Sequence, residues 1–138
     1  MFTPVSTRAA SAYKRVGVET SVDGANPHQL VNLLFDALMQ SLSQARAAMA
    51  RGDQEAKGRE IGKAVRILEE GLKACLDERG GEITGNLRTV YSYSVSCLTA
   101  ANLRNDESKL VEARDLLEPV AQAWKQIQPG ATPPATGV

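Results

Sequence analysis

A chain of 138 residues is one domain by length, and a domain of this size buries roughly 68% of its unfolded surface, enough for a core of its own. Lys and Arg together number 16 and Asp and Glu 16, so the formal net charge is zero. That excludes the one-sided cationic surface needed for non-specific nucleic-acid binding, and a polybasic membrane anchor.

The composition is rich in Ala and Leu and only 4% aromatic, which leans all-α. The opening stretch, MFTPVSTRAASAYKRVGVET, holds no apolar run long enough for a secretory signal. No stretch approaches the roughly 18 apolar residues of a membrane span. The expectation is a cytosolic protein without direct membrane insertion.

Residues 1–25 read as a flexible arm, punctuated by Pro4, Gly17 and Gly24, with a short extra helix around 7–16. The first long helix starts at Asn26-Pro27-His28-Gln29. An N-cap residue, a proline at the first helical position and Gln three residues after the cap are its start signal. Leu30, Leu34, Leu38, Leu42, Ala45 and Met49 then recur on one helical face, widened by Val31 and Phe35. Gly52 ends this helix and Asp53 caps the next.

The second helix is predicted over 53–78, with Ile61, Val65, Leu68, Leu72 and Leu76 as its stripe. Gly58, Gly62 and Gly71 interrupt it, each at a cost of about 1 kcal/mol relative to Ala. Gly80-Gly81 breaks the chain. A third helix follows over 82–103, with Leu87, Val90, Tyr91, Ser94, Leu98 and Ala101 on one face. Asn86, Val90, Tyr93, Cys97 and Ala100 run beside it. The last helix spans 107–127 on Leu110, Ala113, Leu117, Val120, Trp124 and Ile127, and Pro119 predicts a bend near 115–116. Residues 129–138 are Pro- and Gly-rich and read as a disordered tail. Four helices joined by turns of two to four residues must run antiparallel, so 26–128 is predicted to form an up-down-up-down four-helix bundle.

Chemistry is sparse. His28, the single histidine, has no Cys or carboxylate at metal-ligand spacing and reads as a surface residue. The Glu-x-x-His pairs of di-iron bundles are absent, as is a phosphate-cradling Gly-rich loop. Cys75 and Cys97 lack an activating partner and read as free thiols packed as small apolar groups. The expectation is no enzyme, no metal and no cofactor. What remains is surplus apolar surface on helices two and three. One reading is a generous core; the other is an open groove for helices or extended segments of a partner.

Ordered pieces along residues 10–128 carry a resemblance. They are Ala12-Tyr13, Asn26-Pro27-His28-Gln29-Leu30-Val31, Leu34-Phe35-Asp36, Gly52-Asp53 and Ala56-Lys57-Gly58. Lys63-Ala64, Ile67-Leu68, Gly71-Leu72-Lys73, Gly80-Gly81-Glu82-Ile83 and Asn86-Leu87 continue it. Tyr91-Ser92-Tyr93, Ala101-Asn102-Leu103-Arg104-Asn105-Asp106 and Ala123-Trp124-Lys125-Gln126-Ile127 complete it. In this set the chain resembles FliS, the flagellin-specific export chaperone family.

The resemblance implies a cytosolic α-bundle that binds the C-terminal region of newly made flagellin. It implies that the bundle prevents premature polymerisation and delivers the cargo to the membrane-embedded gate of the flagellar type III export apparatus. A co-chaperone or a regulator of flagellin synthesis is a further partner of such a protein. Tyr13 matches the arm tyrosine associated with gate docking, and its other reading is a cover for the empty groove. Ala64, Ile67, Gly71 and Ala74 on helix two, with Asn86, Leu87, Val90, Tyr93 and Cys97 on helix three, are the candidate cargo groove; plain core is the other reading. Ser92 and Ser94 depart from the family pattern, which has Asp between the tyrosines and Met after the second. The competing function is a self-associating structural or regulatory bundle.

Overall fold

The structure, a computed structural model, describes residues 26–127. The arm, its short helix, Tyr13 and the tail lie outside the described residues. Helix α1 spans Pro27–Ala50, α2 Gln54–Arg66, α3 Glu82–Arg104 and α4 Glu107–Gln126. No strand occurs among the described residues. Helix α1 packs against α2 and α4, and α3 against the same two, closing the ring of an antiparallel up-down-up-down bundle.

The helix starts obey their local signals. Asn26 Oδ1 accepts from the Gln29 backbone N–H at 2.8 Å, and Gln29 Oε1 accepts from the Asn26 backbone N–H at 3.0 Å. That reciprocal pair is a capping box, and Pro27 follows at the first helical position. Asp53 caps α2 through the Ala56 N–H at 3.0 Å, and Asp106 caps α4 through the Ser108 N–H at 2.9 Å. Asn105 ends α3 in the left-handed region at φ 52°, a conformation Asn tolerates.

The core is the predicted set of stripes. Leu30, Leu34, Phe35, Leu38 and Leu42 of α1 are buried against Ile61, Ala64, Leu68, Leu98, Ala101, Leu110 and Leu117. One charge is buried with them, Lys57. Its ammonium donates to the Asn102 carbonyl at 3.0 Å and to Asn105 Oδ1 at 3.2 Å. It thereby satisfies an orphan carbonyl at the C-terminus of α3 and favours the negative end of that helix.

Helix two departs from the sequence expectation of one α-helix over 53–78. Its α-geometry ends at Arg66; Ile67–Leu72 is a π-helix and Lys73–Cys75 a 3-10 turn, after which Leu76 is extended. The π turn absorbs an extra residue, and Ile67, Leu68, Gly71 and Leu72 are all buried. Burial of that cluster outweighs regular hydrogen bonding. The Gly80-Gly81 break is as expected. Gly81 has φ 60°, and Thr84 Oγ1 donates to the Asp77 carbonyl at 2.5 Å, fastening the connection to the start of α3.

A further expectation is corrected. His28 is not a free surface side chain: it is half-buried and bonded to Trp124 of α4. Helix α4 runs unbroken through Pro119, which lies on the solvent side while Leu117 and Ala121 face the core. The missing donor therefore affects a face where water can satisfy the freed carbonyl.

Candidate partner-binding surface

The nine residues of the sequence-derived groove separate into three groups. Ala64, Ile67, Gly71 and Cys97 are buried. Leu87, Val90 and Ala74 are half-buried, and the first two pack against the core. Asn86 and Tyr93 are exposed, Tyr93 at 47%.

Two of the α3 residues interact with α4. Tyr93 of α3 donates its hydroxyl to Glu112 of α4, whose other oxygen accepts from Lys109 Nζ at 3.1 Å. Cys97, one turn on, is influenced by the same Glu112 and Lys109. Tyr93 and Cys97 therefore border α4, while Lys57 of α2 reaches Asn102 of α3.

The electrostatics of the seam follow from these contacts. The hydrogen bond to Glu112 pushes the Tyr93 hydroxyl up to about 12, with the Glu112 charge adding to it. The same bond, then that from Lys109, holds the Glu112 carboxyl below its usual range. Burial first, then Glu112, raises the Cys97 thiol. Burial also raises Tyr91, with Cys75 adding to it. Neither thiol is disulfide-bonded. A buried thiol with a raised pKa is inert as a nucleophile. Among the described residues no group of three or more His, Cys, Asp or Glu is placed to hold a metal ion. No described helix is long and apolar enough to cross a membrane.

The outer face of α3 is built of small, mostly uncharged residues. Gly85, Thr89, Ser92, Ser96, Thr99 and Leu103 recur there at three- and four-residue spacing and all are exposed. From Gly85 to Leu103 the face is about 27 Å long, at a rise of ~1.5 Å per residue. Arg88 on its flank is tied to Glu78 at 2.5 Å. The hydroxyls turn back onto their own helix: Thr89 donates to the Gly85 carbonyl at 3.0 Å, Ser96 to Ser92 at 3.4 Å and Thr99 to Val95 at 2.9 Å. A shallow depression of ≈ 480 Å³ lies over Gly85, Arg88, Thr89, Ser92, Tyr93 and Ser96. Leu103, 80% exposed, stands at one end of the face, and Tyr93 stands beside it. The outer faces of α1, α2 and α4, by contrast, carry Asp36, Arg59, Lys63, Asp115 and Glu118.

Sequence reasoning missed this surface because it sought apolar rows. Its signal was nonetheless present, as small uncharged residues at helical spacing. The Glu112–Lys109 support for Tyr93 had no local signal.

Comparison with known proteins identifies the family. The model of the family described as "Flagellar protein FliS" matches residues 9–131. The flagellar secretion chaperone FliS of Salmonella typhimurium is 48% identical over 122 residues, covering 88% of this chain and 90% of that protein. The Escherichia coli protein of the same name is 41% identical over 122 residues, with the same two coverages of 88% and 90%. The flagellar secretion chaperone FliSB of Pseudomonas aeruginosa is 44% identical over 121 residues, covering 87% of this chain and 95% of that protein. With a family match across most of its length and relatives this similar over nearly their whole extent, the chain belongs to the flagellar protein FliS family.

Proposed function

We propose that this protein is a flagellar secretion chaperone that binds the C-terminal region of newly made flagellin in the cytosol. It keeps that segment from polymerising early and delivers it to the type III export gate. The observation that carries the binding part is the outer face of α3. It is long, nearly uncharged and made of small side chains, and the hydroxyls of Thr89, Ser96 and Thr99 are already satisfied. A partner helix can lie close against such a surface without desolvating an unpaired charge. Tyr93, held in place by Glu112, supplies an aromatic anchor that loses little freedom on binding.

Of the nine groove residues, Tyr93 and Asn86 make direct contact in this reading, and Leu87, Val90 and Ala74 contribute their exposed edges. Ala64, Ile67, Gly71 and Cys97 support that surface from beneath. Apolar area covered by the cargo stabilises at roughly 25 cal/mol per Å², and ordering the cargo segment costs several kcal/mol of it. Moderate net affinity suits a carrier that must release its load. Tyr13 is assigned to gate docking, or to covering the surface when it is empty. A co-chaperone or a regulator of flagellin synthesis is a further partner in this reading.

Titration calorimetry against full-length monomeric flagellin, and against flagellin lacking its C-terminal segment, tests the proposal. Tight one-to-one binding that vanishes with the truncation is expected. Tyr93→Ala should weaken it by about tenfold or more while leaving the melting temperature nearly unchanged. Absence of heat with both flagellins, together with a concentration-dependent dimer of this chain, would replace the reading with the self-associating bundle.

A further inference from the structure

The residues that follow α2 carry the pattern of one structure and adopt another. Ile61, Val65, Leu68, Leu72 and Leu76 keep helical spacing, so a continuous helix to residue 78 places the whole stripe on one face. Arg79-Gly80-Gly81 then suffices as the turn, since antiparallel helices are joined by about two to five residues. The structure takes a different course. Ile67–Leu72 is a π turn and Lys73–Cys75 a 3-10 turn, and Leu76 and Asp77 are extended.

Two side chains of α3 fasten this observed course. Thr84 Oγ1 donates to the Asp77 carbonyl at 2.5 Å, and Arg88 Nη2 donates to Glu78 Oε1 at 2.5 Å. A continuous helix aims the Asp77 carbonyl along its own axis and carries Glu78 round with its last turn, so both contacts belong to the observed course. The fastening is light. The Glu78 side chain is 79% exposed and that of Arg88 43%, and an ion pair so open to water holds its partners weakly. Cys75 and Leu76 are half-buried against the core.

Arg88 has a second place in the structure. It lines the depression on the α3 face, where it is the charged member beside Gly85, Thr89, Ser92, Tyr93 and Ser96. Fastened to Glu78, its charge is countered; released, it stands as a free cation at the flank of that face.

We propose that residues 67–81 form a two-state connection. One state is the π turn and strap of this structure; the other is a continuous helix to residue 78, and the change between them fastens or frees Arg88 beside the depression. A partner on the α3 face that engages Arg88 favours the helical state, and by linkage the helical state binds that partner more tightly. Both states belong to the free chain, so the inference does not depend on flagellin being the cargo.

Relaxation-dispersion NMR on the full-length protein reads a minor state of this kind. The amides and α-carbons of residues 67–81 should exchange with a minor state whose α-carbon shifts at 73–77 are helical, and the Arg88 Nε resonance should exchange at the same rate. Glu78→Gln loosens the fastening and should raise the minor population about two- to fivefold. Glu78→Pro acts the other way. Proline suits the first position of the 3-10 turn Glu78–Gly80, follows a residue that is already extended, and forbids a helix through that position. It should abolish the exchange although it too removes the carboxylate. Flat profiles in the unmodified chain, a minor state with random-coil shifts, a population unmoved by Glu78→Gln, exchange that persists in Glu78→Pro, or an Arg88 resonance that does not take part would each overturn the proposal.

Discussion

His28 and Trp124, 96 residues apart, hold each other by two reciprocal hydrogen bonds and a ring stack. Trp124 Nε1 donates to the His28 carbonyl at 3.1 Å, and His28 Nε2 meets the Trp124 carbonyl at 2.9 Å. The ring centroids are 5.0 Å apart and the planes 17° from parallel. A carbonyl only accepts, so Nε2 carries the hydrogen, and Nδ1 accepts from Asn32 Nδ2 at 3.4 Å. The first turn of α1 is thereby clasped to the last turn of α4, and each residue satisfies a carbonyl of the other.

This clasp predicts coupled stability losses. His28→Ala should cost about 1–2 kcal/mol, the sum of a net hydrogen bond and a ring contact. Trp124→Phe keeps much of the apolar area but loses the donor, for about 1 kcal/mol. The double variant should cost less than the sum, because both remove the same contact. Urea unfolding followed by circular dichroism measures all three.

The two aspartate caps predict a pH dependence. The backbone bond from Ala56 is the main cause that lowers Asp53, and the side-chain bond from Ser108 the main cause that lowers Asp106, both from an ordinary value of 3.8. A depressed carboxyl contributes stability that is present above its unfolded value and is lost as pH falls through the folded one. The chain should therefore lose stability as pH drops below 3.8. Asp53→Asn and Asp106→Asn keep a capping oxygen but cannot titrate, so their stability should be flatter with pH across that window. Thermal melts at a series of acidic pH values check this.

Two buried hydroxyls predict gains. Ser41 Oγ and Ser94 Oγ are shut from solvent without a hydrogen-bond partner. Ala is the better helix former and leaves no unpaired polar group, so Ser41→Ala and Ser94→Ala should each stabilise by about 1 kcal/mol. A drop in urea midpoint for both variants would contradict the assignment.

The connection before α3 predicts a steric loss. A Cβ at Gly80 would collide with Thr84 Oγ1, which is itself bonded to the Asp77 carbonyl. Gly80→Ala should destabilise by about 1–3 kcal/mol, the usual range for overpacking. Adding Thr84→Ala should recover part of that, since it removes the clashing oxygen. Chemical denaturation of the single and double variants gives the comparison.

Much of the fold was legible because its causes are local. Asn26-Pro27 and the aspartates at 53 and 106 mark helix starts within a few residues of themselves. The stripes of α1 and α4 needed only the 3.6-residue period. The π turn at Ile67–Leu72 was not legible, since it goes with the burial of Ile67, Leu68 and Leu72 in the core shared with other helices. For the groove, periodicity marked Cys97 and Tyr93 as one row. It could not distinguish the buried thiol from the exposed ring, because both follow from where α4 lies.

By itself, then, the sequence determined four helices, their caps, their antiparallel order and the family, all through short-range hydrogen bonding, apolar period and turn length. Only the tertiary structure decided which apolar residues are core and which are surface. It alone paired His28 with Trp124, Tyr93 with Glu112 and Lys57 with the end of α3. Those outcomes depend on how helices distant in sequence are rotated against one another, and that rotation is set by the packing of the whole core.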